Sequence, residues 1–231
     1  MRWWINRRSA SEQGFRFLLL LVALVAMLLV PTYFERAVVL EHIWRLCISC
    51  VMVAALYSLV DDGRVAVIWL ALILIPSILT NWLPVYVDAV WLVYADNLTT
   101  IVYFVLVGFY LARFIMRSSV VTTNAIYAAL CLYMILAIIW ASIYNMHFLF
   151  YDTSFAFSND ELIRLAENPE TTLSLFNYYS FVTLTTLGYG DIVPTTRTTQ
   201  AWVAVEAMVG QFYIAIIIAR LVSSYSAGKD G

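Results

Sequence analysis

The chain has 231 residues, of which 63% are hydrophobic, 16% aromatic and 12% charged, and its mean hydropathy is +0.85. A soluble domain of this size cannot hide that much apolar surface, so the composition marks a membrane protein. The formal net charge of −2 gives no reason to expect nucleic-acid binding, and Cys47, Cys50 and Cys131 all lie in apolar stretches as small packing residues, not as a disulfide framework.

In chain order, six apolar stretches reach the roughly 17–25 residues that a helix needs to cross a bilayer. They cover about 15–33, 43–60, 65–83, 98–116, 125–146 and 200–223. The first follows Arg2, Arg7 and Arg8 as a signal peptide would, but no small-x-small cleavage pattern stands near Pro31, so it is expected to be a retained span. Pro76 falls inside the third span, where a kink is expected and not a break. Residues 85–97, with Tyr86, Trp91 and Tyr94, are either an interfacial helix or the tilted outer start of the fourth span. Asn97-x-Thr99 matches a glycosylation sequon but sits at membrane depth and is set aside. A seventh apolar piece, 173–184, is too short to span and is expected to descend part-way as a helix.

Charge placement orients these spans. With a cytoplasmic N-terminus, Arg2, Arg7, Arg8, Arg16, Arg64, Arg113, Arg117, Arg220 and Lys229 lie inside, against Arg36, Arg45, Arg164 and Arg197 outside. Nine against four favours both termini in the cytoplasm. Residues 147–172 then form an outer turret in which Asp152, Asp160, Glu161, Glu167 and Glu170 face one Arg164. That excess of acid either concentrates cations at the outer face or is an ordinary solvated loop.

Directly after the short apolar piece comes Thr183-Leu184-Thr185-Thr186-Leu187-Gly188-Tyr189-Gly190-Asp191. The string reads as a potassium selectivity filter, in which backbone carbonyl oxygens replace the hydration shell of the ion. Aiming consecutive carbonyls at one axis requires conformations that a Cβ resists, and Gly188 and Gly190 supply them. Non-helical backbone is tolerated at membrane depth only where it is buried in protein or lines a water-filled path. One chain carries one such string whereas the pore needs four, so a homotetramer of cyclic symmetry is expected.

Residues 125–225 resemble the pore module of the tetrameric potassium channel family, and residues 178–194 are most similar to its prokaryotic members. The resemblance implies that the carbonyls of Thr186, Leu187, Gly188 and Tyr189 form the K+ sites, with Gly190 ending the strand and the Thr186 hydroxyl completing the innermost site. Thr185 and Asp191 would support the filter. Tyr178 and Tyr179 stand in the places of two aromatics, often Trp, that brace the filter Tyr and the Asp. Leu187 replaces the usual Val or Ile. Val182 stands where some prokaryotic members carry a Glu paired with the Asp, so Asp191 is expected to accept a hydrogen bond from Tyr178 instead.

On the sixth span, about 100° per residue puts Ala207, Gln211, Ile214 and Ile218 on one arc. By resemblance that arc lines the cavity, with Gln211 a polar collar below the filter and Ile214 and Ile218 a hydrophobic constriction. Gly210 is either a gating hinge or a close-packing site. Glu206, the carboxylate deepest in a span, is expected behind the filter, hydrogen-bonded to the pore helix or to a neighbouring subunit. The first four spans resemble a voltage-sensor domain in number only, because the fourth offers just Arg113 and Arg117 at its cytoplasmic end. Steep voltage gating is therefore not expected.

The expectation is an all-α membrane protein with six transmembrane helices, a re-entrant pore helix and a filter between the fifth and sixth, assembled as a C4 homotetramer in the lipid bilayer. Residues 1–16 form a cytoplasmic N-terminus, 17–117 the four-helix membrane domain and 118–231 the pore domain. The expected function is passive, potassium-selective conduction across a plasma membrane (a bacterial inner membrane by the resemblance), with no enzymatic step and no cofactor besides the transported K+. A weakly selective cation channel and a non-conducting channel-like regulatory subunit are the alternatives. His42 and His147 have no ligand-spaced partners, and no nucleophile–base arrangement is legible.

Overall fold

The computed structural model describes the backbone of residues 2–33, 37–60, 64–87, 89–117, 122–167 and 169–227. Of the charges used for orientation, Arg36 and Lys229 lie outside the described residues. The elements run α1 (Arg2–Leu29), α2 (Ala37–Ser58), α3 (Arg64–Trp82), α4 (Val90–Arg117), α5 (Thr123–Phe150), β1 (Phe155–Phe157), α6 (Asp160–Glu167), α7 (Pro169–Leu184), β2 (Ile192–Pro194) and α8 (Arg197–Ala227). Four segments among the described residues are long and apolar enough to cross a membrane: Val67–Val85, Val90–Arg117, Thr123–Phe150 and Arg197–Arg220. The apolar part of α1, Gly14–Leu29, is shorter, and α2 carries Glu41 and Arg45 near its start.

The chain divides into two compact units, Met1–Met134 and Ile135–Gly231, so that the boundary falls inside α5. In the first unit the helices bury stripes at three- and four-residue spacing, which is what a 3.6-residue period requires of a packed face. On α1 the buried stripe is Phe17, Leu20, Leu24 and Met27, and α1 packs along α2. On α4 it includes Leu92, Asp96, Thr100, Tyr103, Val107 and Leu111. The α4 helix begins at Val90, so the aromatic stretch left open by the sequence belongs largely to the fourth helix, after a short 3-10 turn at Leu83–Val85. The α3 helix runs unbroken through Pro76, and Thr80 Oγ1 donates to the Pro76 carbonyl at 3.0 Å.

Several polar groups buried in this unit bond to one another. Arg45 Nε donates to Glu41 Oε1 at 2.7 Å and Arg45 Nη1 to the carbonyl of Asn81. Asn81 Nδ2 returns a bond to the Arg45 carbonyl at 3.0 Å, and Ser49 Oγ receives both Asn81 Nδ2 and Trp82 Nε1 at 3.1 Å. Tyr103 OH crosses from α4 to the Met52 carbonyl of α2 at 2.6 Å. In a membrane such ties matter because no water is at hand to replace them.

The second unit holds the remainder of α5, the turret, α7, the filter string and α8. Two features add detail to the mostly helical chain and its expected turret. β1 and β2 pair antiparallel, Phe155 opposite Pro194 and Phe157 opposite Ile192. Between β1 and α7 stands the helix α6, capped by Asn159 Oδ1, which accepts the Leu162 amide at 2.8 Å. Asp160 and Glu161 in its first turn and Arg164 in its last complement the helix dipole. The core of the unit is aromatic: Tyr144 lies 5.7 Å from Phe155 and 5.5 Å from Tyr179, and Phe155 lies 4.9 Å from Phe176.

Candidate functional site

The filter string emerges from the C-terminal end of α7, and that end is closed by the string itself. The Thr186 amide donates to the Thr183 carbonyl at 2.9 Å and the Leu187 amide to the Val182 carbonyl at 2.9 Å. This pair of bonds is the Schellman arrangement, which needs a left-handed residue just past the helix. That residue is Thr186, at φ +59°. A β-branched residue in the left-handed region is a strained outlier that persists only where its surroundings hold it. Here the Gly188 amide adds a second bond to the Val182 carbonyl at 3.2 Å. The Val182 and Thr183 carbonyls at the negative end of the α7 dipole are thus engaged by the amides of the strand that follows.

Beyond Thr186 the positive φ angles recur at every second residue, +55° at Gly188 and +78° at Gly190, while Leu187 and Tyr189 keep negative φ. Alternation between left- and right-handed conformations turns successive peptide planes the same way, gathering N–H groups on one side of the strand and carbonyls on the other. A Cβ built on Gly188 or Gly190 meets nothing within 4 Å. Within one chain, the glycines are therefore required by conformation and not by crowding.

The outer end of the string is fastened to the turret. Tyr178 OH donates to Asp191 Oδ2 at 2.5 Å, Asp191 Oδ1 accepts the Ile192 amide at 3.0 Å, and the Asp191 carbonyl accepts the Ser158 amide at 2.9 Å. Burial, then the hydrogen bond to Asp191 and its charge, push the Tyr178 phenol up to about 12, so it remains a protonated donor through the physiological range. Tyr179 turns the other way, into the aromatic core, where it is buried. Its ring packs against Tyr144 and Phe155. Tyr189 is 65% exposed and Leu187 56% exposed within one chain.

The inner end of the string meets α8. Gln211 Nε2 donates to Thr186 Oγ1 at 3.0 Å, and Thr186 Oγ1 in turn donates to the Thr185 carbonyl at 2.7 Å. Thr185 Oγ1 donates back to the Phe181 carbonyl at 2.6 Å. Gly210 lies against the Leu184 carbonyl so closely that a Cβ there would overlap it, which resolves Gly210 as a close-packing site in this conformation. Glu206 is fully buried and accepts from Tyr144 OH at 2.6 Å and from Ser180 Oγ. Its placement against α7 was legible, but its two donors were not: Tyr144 and Ser180 sit 62 and 26 residues away and read as ordinary members of apolar helices. Ile214 and Ile218 are both exposed on α8.

Residues 128–227, which include every element of this site, match a protein family described as "Ion channel". No curated protein and no solved structure matches the chain. The match supports ion-channel function, and with it a transporting role in a membrane instead of a chemical one.

Proposed function

We propose that this chain is one subunit of a homotetrameric, potassium-selective channel that conducts K+ passively through the strand Thr186–Gly190. The observation that carries the reading is the alternation of left-handed conformations at Thr186, Gly188 and Gly190. It collects the carbonyls of Thr186, Leu187, Gly188 and Tyr189 on one side of the strand, the disposition a dehydrated K+ needs from each of four copies. The exposure of Tyr189 and Leu187 in a single chain fits a strand whose walls are completed by neighbouring subunits. So does α8, whose membrane-length segment is only 11% buried. Gln211, Ile214 and Ile218 then line the path below the filter, and α1 and α2 join α3, α4, α5 and α8 as two further spans, with both termini in the cytoplasm. The excess of Lys and Arg on that side supports the orientation.

The weakly selective cation channel is a second reading with a specific observation in its favour. Leu187 departs from the Val or Ile usual at the second carbonyl of such a strand. Purified full-length chain in liposomes, held under opposed K+ and Na+ gradients, distinguishes the two. The potassium reading expects a reversal potential close to the K+ equilibrium value and block by Ba2+. A reversal potential near zero supports the weakly selective channel, and absence of flux supports the non-conducting subunit.

A further inference from the structure

Between Glu206 and Gln211 the inner helix α8 meets the pore loop at three successive levels. Glu206 holds Ser180 of α7 and Tyr144 of α5. One turn on, Gly210 rests on the carbonyl of Leu184, the last residue of α7. At the next position Gln211 bonds to Thr186, the strained residue on which the filter strand starts. Five residues of α-helix span about 7.5 Å and are stiff on that scale, so a shift of α8 at Glu206 is carried to Gln211. Glu206 is fully buried, and its two donors are neutral hydroxyls from two different helices. An acceptor in that setting holds its donors firmly, because leaving it unsatisfied exacts its full desolvation penalty. The carboxylate therefore does more than fill space between helices. It sets the height and rotation of α8 against the pore helix.

We propose that Glu206 is a positioning residue for ion selection. By fixing α8 to α7 and α5, it keeps Gln211 on the Thr186 hydroxyl and so controls K+ over Na+ discrimination from a point no ion touches. The inference rests on the potassium-channel reading above. In Glu206→Gln an NH2 group replaces one of the two accepting oxygens and faces a hydroxyl that has lost its acceptor, while size and shape are kept. Ser180→Ala and Tyr144→Phe each delete one donor and leave the carboxylate in place.

The experiment reconstitutes full-length wild type and these variants in liposomes and measures the K+/Na+ permeability ratio together with the yield of assembled protein. Glu206→Gln is expected to lower the ratio about tenfold, the scale of one lost buried hydrogen bond. Ser180→Ala and Tyr144→Phe should lower it less, and neither should lower it further in the Glu206→Gln background. Ser180→Thr restores the hydroxyl and should restore the ratio. A merely structural carboxylate would reduce yield and leave the ratio where it was, and that result in Glu206→Gln overturns the proposal. Should Glu206→Gln fail to assemble, unchanged ratios in both Ser180→Ala and Tyr144→Phe overturn it equally. A wild-type protein without K+-selective flux overturns the channel reading itself, and it does so before any variant is compared.

Discussion

The polar network of the first unit and the filter strand of the second are built on opposite terms. Around Arg45, every bond from Glu41 to Asn81 and Trp82 closes inside a single chain. Around Thr186–Gly190 the amides of Thr186, Leu187 and Gly188 are spent on α7, while Leu187 and Tyr189 stand exposed. The first arrangement is finished as it folds. The second leaves Leu187 and the Tyr189 ring exposed within one chain, as the shared pore proposed above requires. A buried ion pair therefore says little about function here, whereas an ordered, strained and exposed strand says much.

The largest effect should separate the two regions completely. Gly190→Ala places a Cβ at φ +78°, a conformation costing roughly 1–2 kcal/mol for an L-residue, in open space where no clash can be blamed. K+/Na+ selectivity, read from reversal potentials, should be lost while expression and membrane insertion persist. A preserved ratio would remove the conformational basis of the filter. Next, Arg45→Met leaves Glu41 buried without its cation. It should lower the unfolding free energy by about 3–5 kcal/mol, seen as a fall in the melting temperature of the detergent-solubilised protein, with the permeability ratio unchanged. A shift in selectivity in that variant would show that the two regions are not independent.

Smaller effects sharpen the same contrast. Tyr178→Phe removes the donor to Asp191 at a partly exposed position, where screening limits the loss to about 1 kcal/mol. It should shorten the open lifetimes of single channels with little change in melting temperature. Tyr103→Phe removes the bond to the Met52 carbonyl and should cost about 0.6–1 kcal/mol of stability, measured by thermal unfolding, with conduction untouched.

What the sequence disclosed follows from which signals are local. Gly188 and Gly190 announce positive φ by their identity, so the strand was readable at those positions. Thr186 adopts the same handedness with a β-branched side chain, and nothing in its identity says so; the closing bonds from α7 impose it. The helix α6 carries a capping signature in Asn159 and the acids after it, a signal legible in the sequence. The β1–β2 ribbon left none, because three-residue strands joined across more than thirty residues show no alternation to count. Glu206 stood out as a charge deep in an apolar span, yet its donors depend on three helices meeting, which no spacing encodes.

The central claim is that four copies of residues 186–190 share one axis and turn their carbonyls toward it. A structure of the solubilised assembly determined in K+ tests this most directly. The account predicts four-fold symmetry with ion density between the carbonyl oxygens of Thr186, Leu187, Gly188 and Tyr189. Strands held apart from one another, or carbonyls facing away from any common path, would contradict it.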